Sequence, residues 1–193
     1  MPKYRLRAGR PARGSERPVE RGRLVEVWAS RRRGSGYLVS DRLILTAAHV
    51  VRSADGDFES TLEVRFLQGS SEGDAPLAAR LVWVRYDGPE SGVDAAFVEI
   101  TAAGWEPPSG VHPVVWGRLD GDEPGIRVQV AGFPSASNMR ADTDADQVAA
   151  VVNPLSGARS GRLHLITESA PARSADGESL WSGVSGGPVC GQQ

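Results

Sequence analysis

The chain has 193 residues, a formal net charge of −2 and a single cysteine. That length allows one large or two small cores, and the near-balanced charge points to neither a nucleic acid nor a membrane surface as partner. One cysteine excludes an intrachain disulfide, and no apolar run approaches the ~20 residues of a membrane-spanning helix.

Residues 1–22 read as a basic, disordered arm. Through Arg23 the chain carries eight basic residues against Glu16 and Glu20, with no periodicity. No apolar stretch of a secretory signal follows these charges. Together with the lone cysteine, this leads us to expect a reducing, cytoplasmic setting. Leu24–Ala29 alternates in the manner of a half-buried strand. Arg31–Gly34 is expected to turn the chain. Gly36–Val39 and Leu43–Thr46, separated by Ser40-Asp41-Arg42, read as a hairpin. Ala47–Val51 suits one helical turn. Further strands are expected at Leu62–Leu67, Ala79–Val84 and Ala95–Ile100, with polar loops over 53–60, 68–76 and 87–92. Short strands at regular spacing favour an all-β barrel or sandwich.

Residues 101–125 carry Pro107, Pro108, Pro113 and Pro124 and read as a linker between two β units, with Val114–Trp116 as a short strand inside it. A second strand series follows at Ile126–Gly132, Gln147–Val152 and Arg162–Ile166, with polar loops over 134–146 and 168–180. The chain then reaches Ser182-Gly183-Val184-Ser185-Gly186-Gly187-Pro188. Glycine costs conformational entropy wherever it is fixed. A serine set among glycines therefore suggests a tight turn that exposes the hydroxyl and aims two backbone N–H groups into one space, an oxyanion hole beside a nucleophile.

Serine needs a base, and the base needs an orienting group. The letters Gly183-Val184-Ser185-Gly186-Gly187 also satisfy the nucleophile elbow of α/β-hydrolases, but in that fold the acid and histidine follow the serine. Only eight residues follow Ser185, and none is His, Asp or Glu. The partners must lie upstream. Of the three histidines, His112 falls in the linker and His164 in an alternating run where a structural role fits. His49 follows a strand and small residues that permit close approach. No ligand spacing for zinc is present.

Leu45-Thr46-Ala47-Ala48-His49-Val50 resembles the histidine motif of the chymotrypsin/trypsin-like serine peptidases. Val93-Asp94-Ala95-Ala96-Phe97-Val98 resembles their aspartate motif, and Gly183-Val184-Ser185-Gly186-Gly187-Pro188 their serine motif. The order matches, and the resemblance spans about residues 24–190. It implies an all-β fold of two antiparallel β-barrels of the chymotrypsin type. The first, over 23–100, holds His49 and Asp94; the second, over 126–193, holds Ser185. It also implies a serine endopeptidase acting on polypeptides. Ser185 is then the nucleophile, His49 the base and Asp94 its orienter, with the N–H groups of Gly183 and Ser185 as oxyanion hole. No metal or cofactor is expected.

Departures from the family pattern add further expectations. Val184 stands where zymogen-derived members carry an Asp that pairs with a freed N-terminus, so activation by N-terminal cleavage is not expected. The pattern resembles bacterial, disulfide-free members, including the HtrA type and trypsin-like domains fused to signalling or conflict-system proteins. By ungapped counting Ser179 falls at the floor of the primary specificity pocket and suits small or apolar side chains; a shift in alignment would bring Asp176 or Glu178 there instead. The family continues with two further strands where this sequence stops at Gln193. The second barrel is accordingly expected to lack its last strands, through truncation, through a missing half supplied by another chain or through degeneration of the domain. The chain alone is expected to have little peptidase activity, and fused or separate C-terminal regulatory domains are candidate partners. The competing reading is a weakly active or inactive protease-fold binding module.

Overall fold

In a computed structural model, the described residues are 19–30, 32–67, 75–88, 92–117, 122–134, 145–157, 159, 163–167 and 183–191. Six strands form a closed barrel: β1 (Leu24–Ala29), β2 (Arg32–Leu38), β3 (Leu43–Thr46), β4 (Thr61–Phe66), β5 (Leu77–Tyr86) and β6 (Asp94–Ile100). Around the barrel they run β1-β2-β3-β6-β5-β4, and every pair is antiparallel. Alternation places one face of each strand inside. Val25, Val27, Ile44, Val64 and Val98 are fully buried together, and β-branched side chains suit that pleated interior.

The first four residues of β1 are buried on both faces, because β1 and β2 also touch β7 (Ile126–Gly132) of a second sheet. That sheet adds β8 (Asp146–Val152), β9 (Leu165–Thr167) and β10 (Val189–Gly191), in the order β10-β7-β8-β9. Among the described residues it is an open antiparallel sheet of four strands, packed through Val128, Ala150 and Val152.

Several expectations are corrected. Arg32, Arg33 and Gly34 do not turn the chain; they are the first residues of β2 and pair with Ala29, Trp28 and Val27. Pairing with β1 runs to its last residue, Ala29, which faces Arg32. No strand forms at Val114–Trp116, where Val115 and Trp116 stay exposed without a partner strand. His164 precedes β9 rather than lying within it. Val19–Gly22, read as the end of a disordered arm, pack onto the fold. Val19 joins Leu24, Ala131 and Phe133 in a small core cluster, and Arg21–Arg23 form a 3-10 turn. The loops expected over 68–76, 134–146 and 168–180 fall largely or wholly outside the described residues, as does the middle of the loop over 87–92.

The first part of the linker is held to the barrel. The Arg42 guanidinium donates to the carbonyls of Ile100 (3.1 Å), Ala102 (3.2 Å) and Trp105 (3.0 Å). Trp105 stacks on Phe66 with ring centroids 5.4 Å apart.

Candidate active site

The pairing of β3 with β6 builds half of the site. Thr46, last in β3, lies opposite Ala96 of β6, so the chain leaving β3 starts beside the first residue of β6, Asp94. It leaves as a 3-10 turn, Ala48–Val51, whose small and β-branched residues Ala48, Val50 and Val51 are buried in the barrel core. That anchoring turns His49 outward onto Asp94. His49 Nδ1 lies 2.5 Å from Asp94 Oδ2, and the His49 backbone N–H donates to Asp94 Oδ1 at 2.9 Å.

Two contacts to one carboxylate set both the position and the plane of the imidazole. They also place the proton of a neutral ring on Nδ1 and leave Nε2 as the acceptor. Both side chains are 37% exposed, so the pair is open to a substrate. The Arg32 guanidinium donates to the His49 carbonyl at 3.0 Å and brings a fixed positive charge to the rim.

The serine turn approaches from the second sheet. Pro188 leads into β10, which pairs with β7, and the Gly187 N–H donates to the Val184 carbonyl at 2.9 Å to close a tight turn around Ser185. Gly186 sits at φ +89°. A β-carbon there would strike the Ser35 carbonyl and come within 2.5 Å of Thr46 Oγ1 and 2.8 Å of the Ala47 N. The turn therefore rests on the backbone at Ala47, two residues from His49, and only glycine allows that approach. The Ser185 carbonyl accepts from the Ser35 N–H at 2.9 Å. Among the described residues no hydrogen bond uses the N–H of Gly183 or of Ser185.

The structure thus joins His49 to Asp94 directly and seats Gly183 and Ser185 on Ser35, midway along β2, beside the end of β3. Ser179 and Ser182 lie outside the described residues. His112 bonds to the carbonyl of Gly110 at 3.0 Å in the linker. No cluster of three or more His, Cys, Asp or Glu side chains converges among the described residues. Sequence reasoning missed Ser35 and Thr46, which carry the serine turn. The available signal was Gly34-Ser35-Gly36, a second small-residue stretch of the kind that lets backbones approach closely.

Behind the site, Cys190 in β10 and Tyr37 in β2 border the cluster around Val19. Burial pushes the Cys190 thiol up, and the Glu20 carboxylate adds to the effect. Burial likewise pushes the Tyr37 phenol from 10.0 up to about 12. Charge on Cys190 adds to that shift, a backbone hydrogen bond from Glu20 opposes it, the Glu20 carboxylate adds, and Arg23 opposes.

Comparison with known proteins gives a consistent likeness. Residues 34–193 match the family model described as the trypsin-like peptidase domain. Among solved structures the chain is similar to neuropsin, a serine protease expressed in the limbic system of mouse brain. The TM-score is 0.55 at 19% identity over 89% of this chain and 78% of that one. It is also similar to the inactive form of the Rv3671c protease of M. tuberculosis, with a TM-score of 0.50 at 22% identity over 88% of this chain and 72% of that one. Identities this low speak to the fold. No curated protein sequence matches.

Proposed function

The chain belongs to the trypsin-like peptidase domain family, and from that premise we propose that it is a serine endopeptidase whose catalytic groups are His49, Asp94 and Ser185. The observation that carries the reading is the double engagement of the Asp94 carboxylate by His49, through Nδ1 and through the backbone N–H. A solvent-facing histidine has no structural need of that arrangement, whereas a general base does.

The reaction follows from the atoms. Ser185 Oγ attacks the carbonyl carbon of the scissile peptide while its proton passes to His49 Nε2. The imidazolium is stabilised by the Asp94 carboxylate on its other nitrogen. Negative charge gathers on the former carbonyl oxygen, which the N–H groups of Gly183 and Ser185 receive. His49 returns the proton to the leaving amine as the C–N bond breaks, and the acyl group remains on Ser185. Water, deprotonated by His49, then releases the acid and restores the serine. Ser179 is assigned to the pocket floor, which suits a small or apolar side chain before the cut. Val184 cannot form an ion pair with a freed N-terminus, so activation by N-terminal cleavage has no part in this reading.

The test uses a fluorophosphonate probe, which reports the nucleophile without needing a specific substrate, alongside cleavage of labelled casein. Covalent labelling that is lost in Ser185→Ala and in His49→Ala is expected. A wild-type protein that never labels, or casein cleavage that persists in Ser185→Ala, overturns the reading.

A further inference from the structure

We propose that Ser35 is a positioning residue of this site. Its hydroxyl holds the Gly183 carbonyl and, through it, the orientation of the backbone that presents Ser185 and the oxyanion N–H of Ser185. The proposal rests on the peptidase reading above.

Ser35 lies in β2 and is fully buried. All of its polar atoms are engaged, and each bond reaches a different part of the site. Its N–H donates to the Ser185 carbonyl at 2.9 Å. Its hydroxyl donates to the Gly183 carbonyl at 2.7 Å and accepts from the Phe133 N–H, just past β7, at 2.8 Å. Its own carbonyl accepts from Thr46 Oγ1, at the end of the strand that leads to His49, at 2.7 Å. One residue of the barrel therefore grips the serine turn at two carbonyls, on either side of Val184, and ties it to the second sheet.

The chemistry of the position calls for serine. The hydroxyl must be a donor toward Gly183 and an acceptor toward Phe133 at once, which a single O–H can do. Space for it exists only because residue 132 is glycine; a β-carbon there would stand 2.5 Å from Ser35 Oγ and 3.1 Å from the Val184 Cα. Alanine at position 35 takes the partner from the buried Phe133 N–H and from the part-buried Gly183 carbonyl.

The catalytic consequence follows from geometry. Peptide planes turn as rigid units. Holding the carbonyls of Gly183 and Ser185 fixes the two peptide planes that flank the Val184–Ser185 plane, and so limits rotation of that plane, which carries the Ser185 N–H. An oxyanion donor acts where charge develops, so its misalignment weakens the transition state more than the bound substrate. A residue needed only for folding lowers the melting temperature without changing the turnover of molecules that remain folded.

The experiment compares the full chain with Ser35→Ala, Ser35→Cys and Leu62→Ala, the last a buried change in β4 of the barrel core. The readouts are melting temperature, the rate of fluorophosphonate inactivation, and kcat and KM for acylation by p-nitrophenyl acetate, which needs no specificity pocket. Ser35→Ala is expected to lower kcat and the inactivation rate by about tenfold or more with KM nearly unchanged, short of the ~10²–10³ lost with an oxyanion donor itself. Ser35→Cys, which keeps a weak donor and acceptor, recovers part of the rate and carries the test if the alanine variant does not fold. Leu62→Ala loses melting temperature alone. Wild-type labelling with Ser35→Ala rates within twofold of wild type, a change in KM alone, or equal rate losses in Ser35→Ala and Leu62→Ala overturns the positioning role while leaving the peptidase reading intact. A wild-type chain that does not label overturns both.

Discussion

Asp94 has two oxygens, and His49 uses both. That stoichiometry makes a sharp demand on any substitute. Asparagine offers one acceptor and two amide donors, so it cannot receive both the backbone N–H and Nδ1–H of His49. Either the 3-10 turn loses its tie to β6, or the imidazole shifts its proton to Nε2 and can no longer accept one from Ser185. Asp94→Asn is therefore expected to keep the fold and lose on the order of 10³–10⁴ in kcat. Steady-state hydrolysis of p-nitrophenyl acetate, with circular dichroism as the folding control, measures both halves of that statement; an Asp94→Asn protein of wild-type activity removes Asp94 from the mechanism.

At the scale of elements, the site is made where strand ends meet. β3 ends opposite the early part of β6, which brings the His49 turn to Asp94, and β10 returns along β7 to lay the serine turn on β2. The seam between the two halves is close-packed backbone, so it tolerates no added atoms. Gly186 combines a positive φ of +89° with carbonyl and hydroxyl neighbours where a β-carbon must go. Gly186→Ala brings backbone strain of roughly 1–3 kcal/mol, and the steric conflict adds to it. The turn is expected to lift off Ala47, with fluorophosphonate labelling reduced at least as far as in Ser35→Ala and a melting temperature several degrees lower. Unchanged labelling in Gly186→Ala means that the turn does not rest where the geometry places it.

Across the whole molecule, barrel and second sheet are joined by a short strap as well as by the site. Val19 packs with Ala131 and Phe133, and the buried Arg23 donates to Glu20 (2.6 Å) and to the Leu38 carbonyl (2.6 Å). Tyr37 and Cys190 line the same junction. This places a titration at the joint. The unfolded chain releases the Tyr37 proton near pH 10.0 and the folded chain near 12. Between these values the unfolded state binds fewer protons, so stability falls as pH rises. The Tyr37 contribution is thus fully present below about pH 10 and is lost progressively toward about pH 12. Denaturant midpoints of the full chain between pH 9 and about 12 are expected to decline, and Tyr37→Phe to flatten the decline; parallel slopes in the two proteins place the titration elsewhere.

The sequence alone determined the class of fold, six strands up to residue 100 and the exposed turn around Ser185, while His49 and Asp94 became candidates through the resemblance of their motifs to those of the trypsin-like peptidases. Those features are local. Alternation with period two marks a half-buried strand, and a serine among glycines marks a tight exposed turn. What it left open depends on contacts between residues far apart in the chain. Arg32–Gly34 looked like a turn because charge and glycine carry that local preference, yet pairing with β1 extends β2 through them. Val114–Trp116 looked like a strand because its residues favour one, yet it pairs with no strand among the described residues. Val19–Gly22 continue a polar, basic segment, and only packing against Leu24, Ala131 and Phe133 makes Val19 part of the core. Ser35 is the clearest case. Gly34-Ser35-Gly36 signals close backbone approach and nothing of the hydroxyl, which acquires its role only when tertiary packing brings Gly183, 148 positions away, within hydrogen-bonding distance.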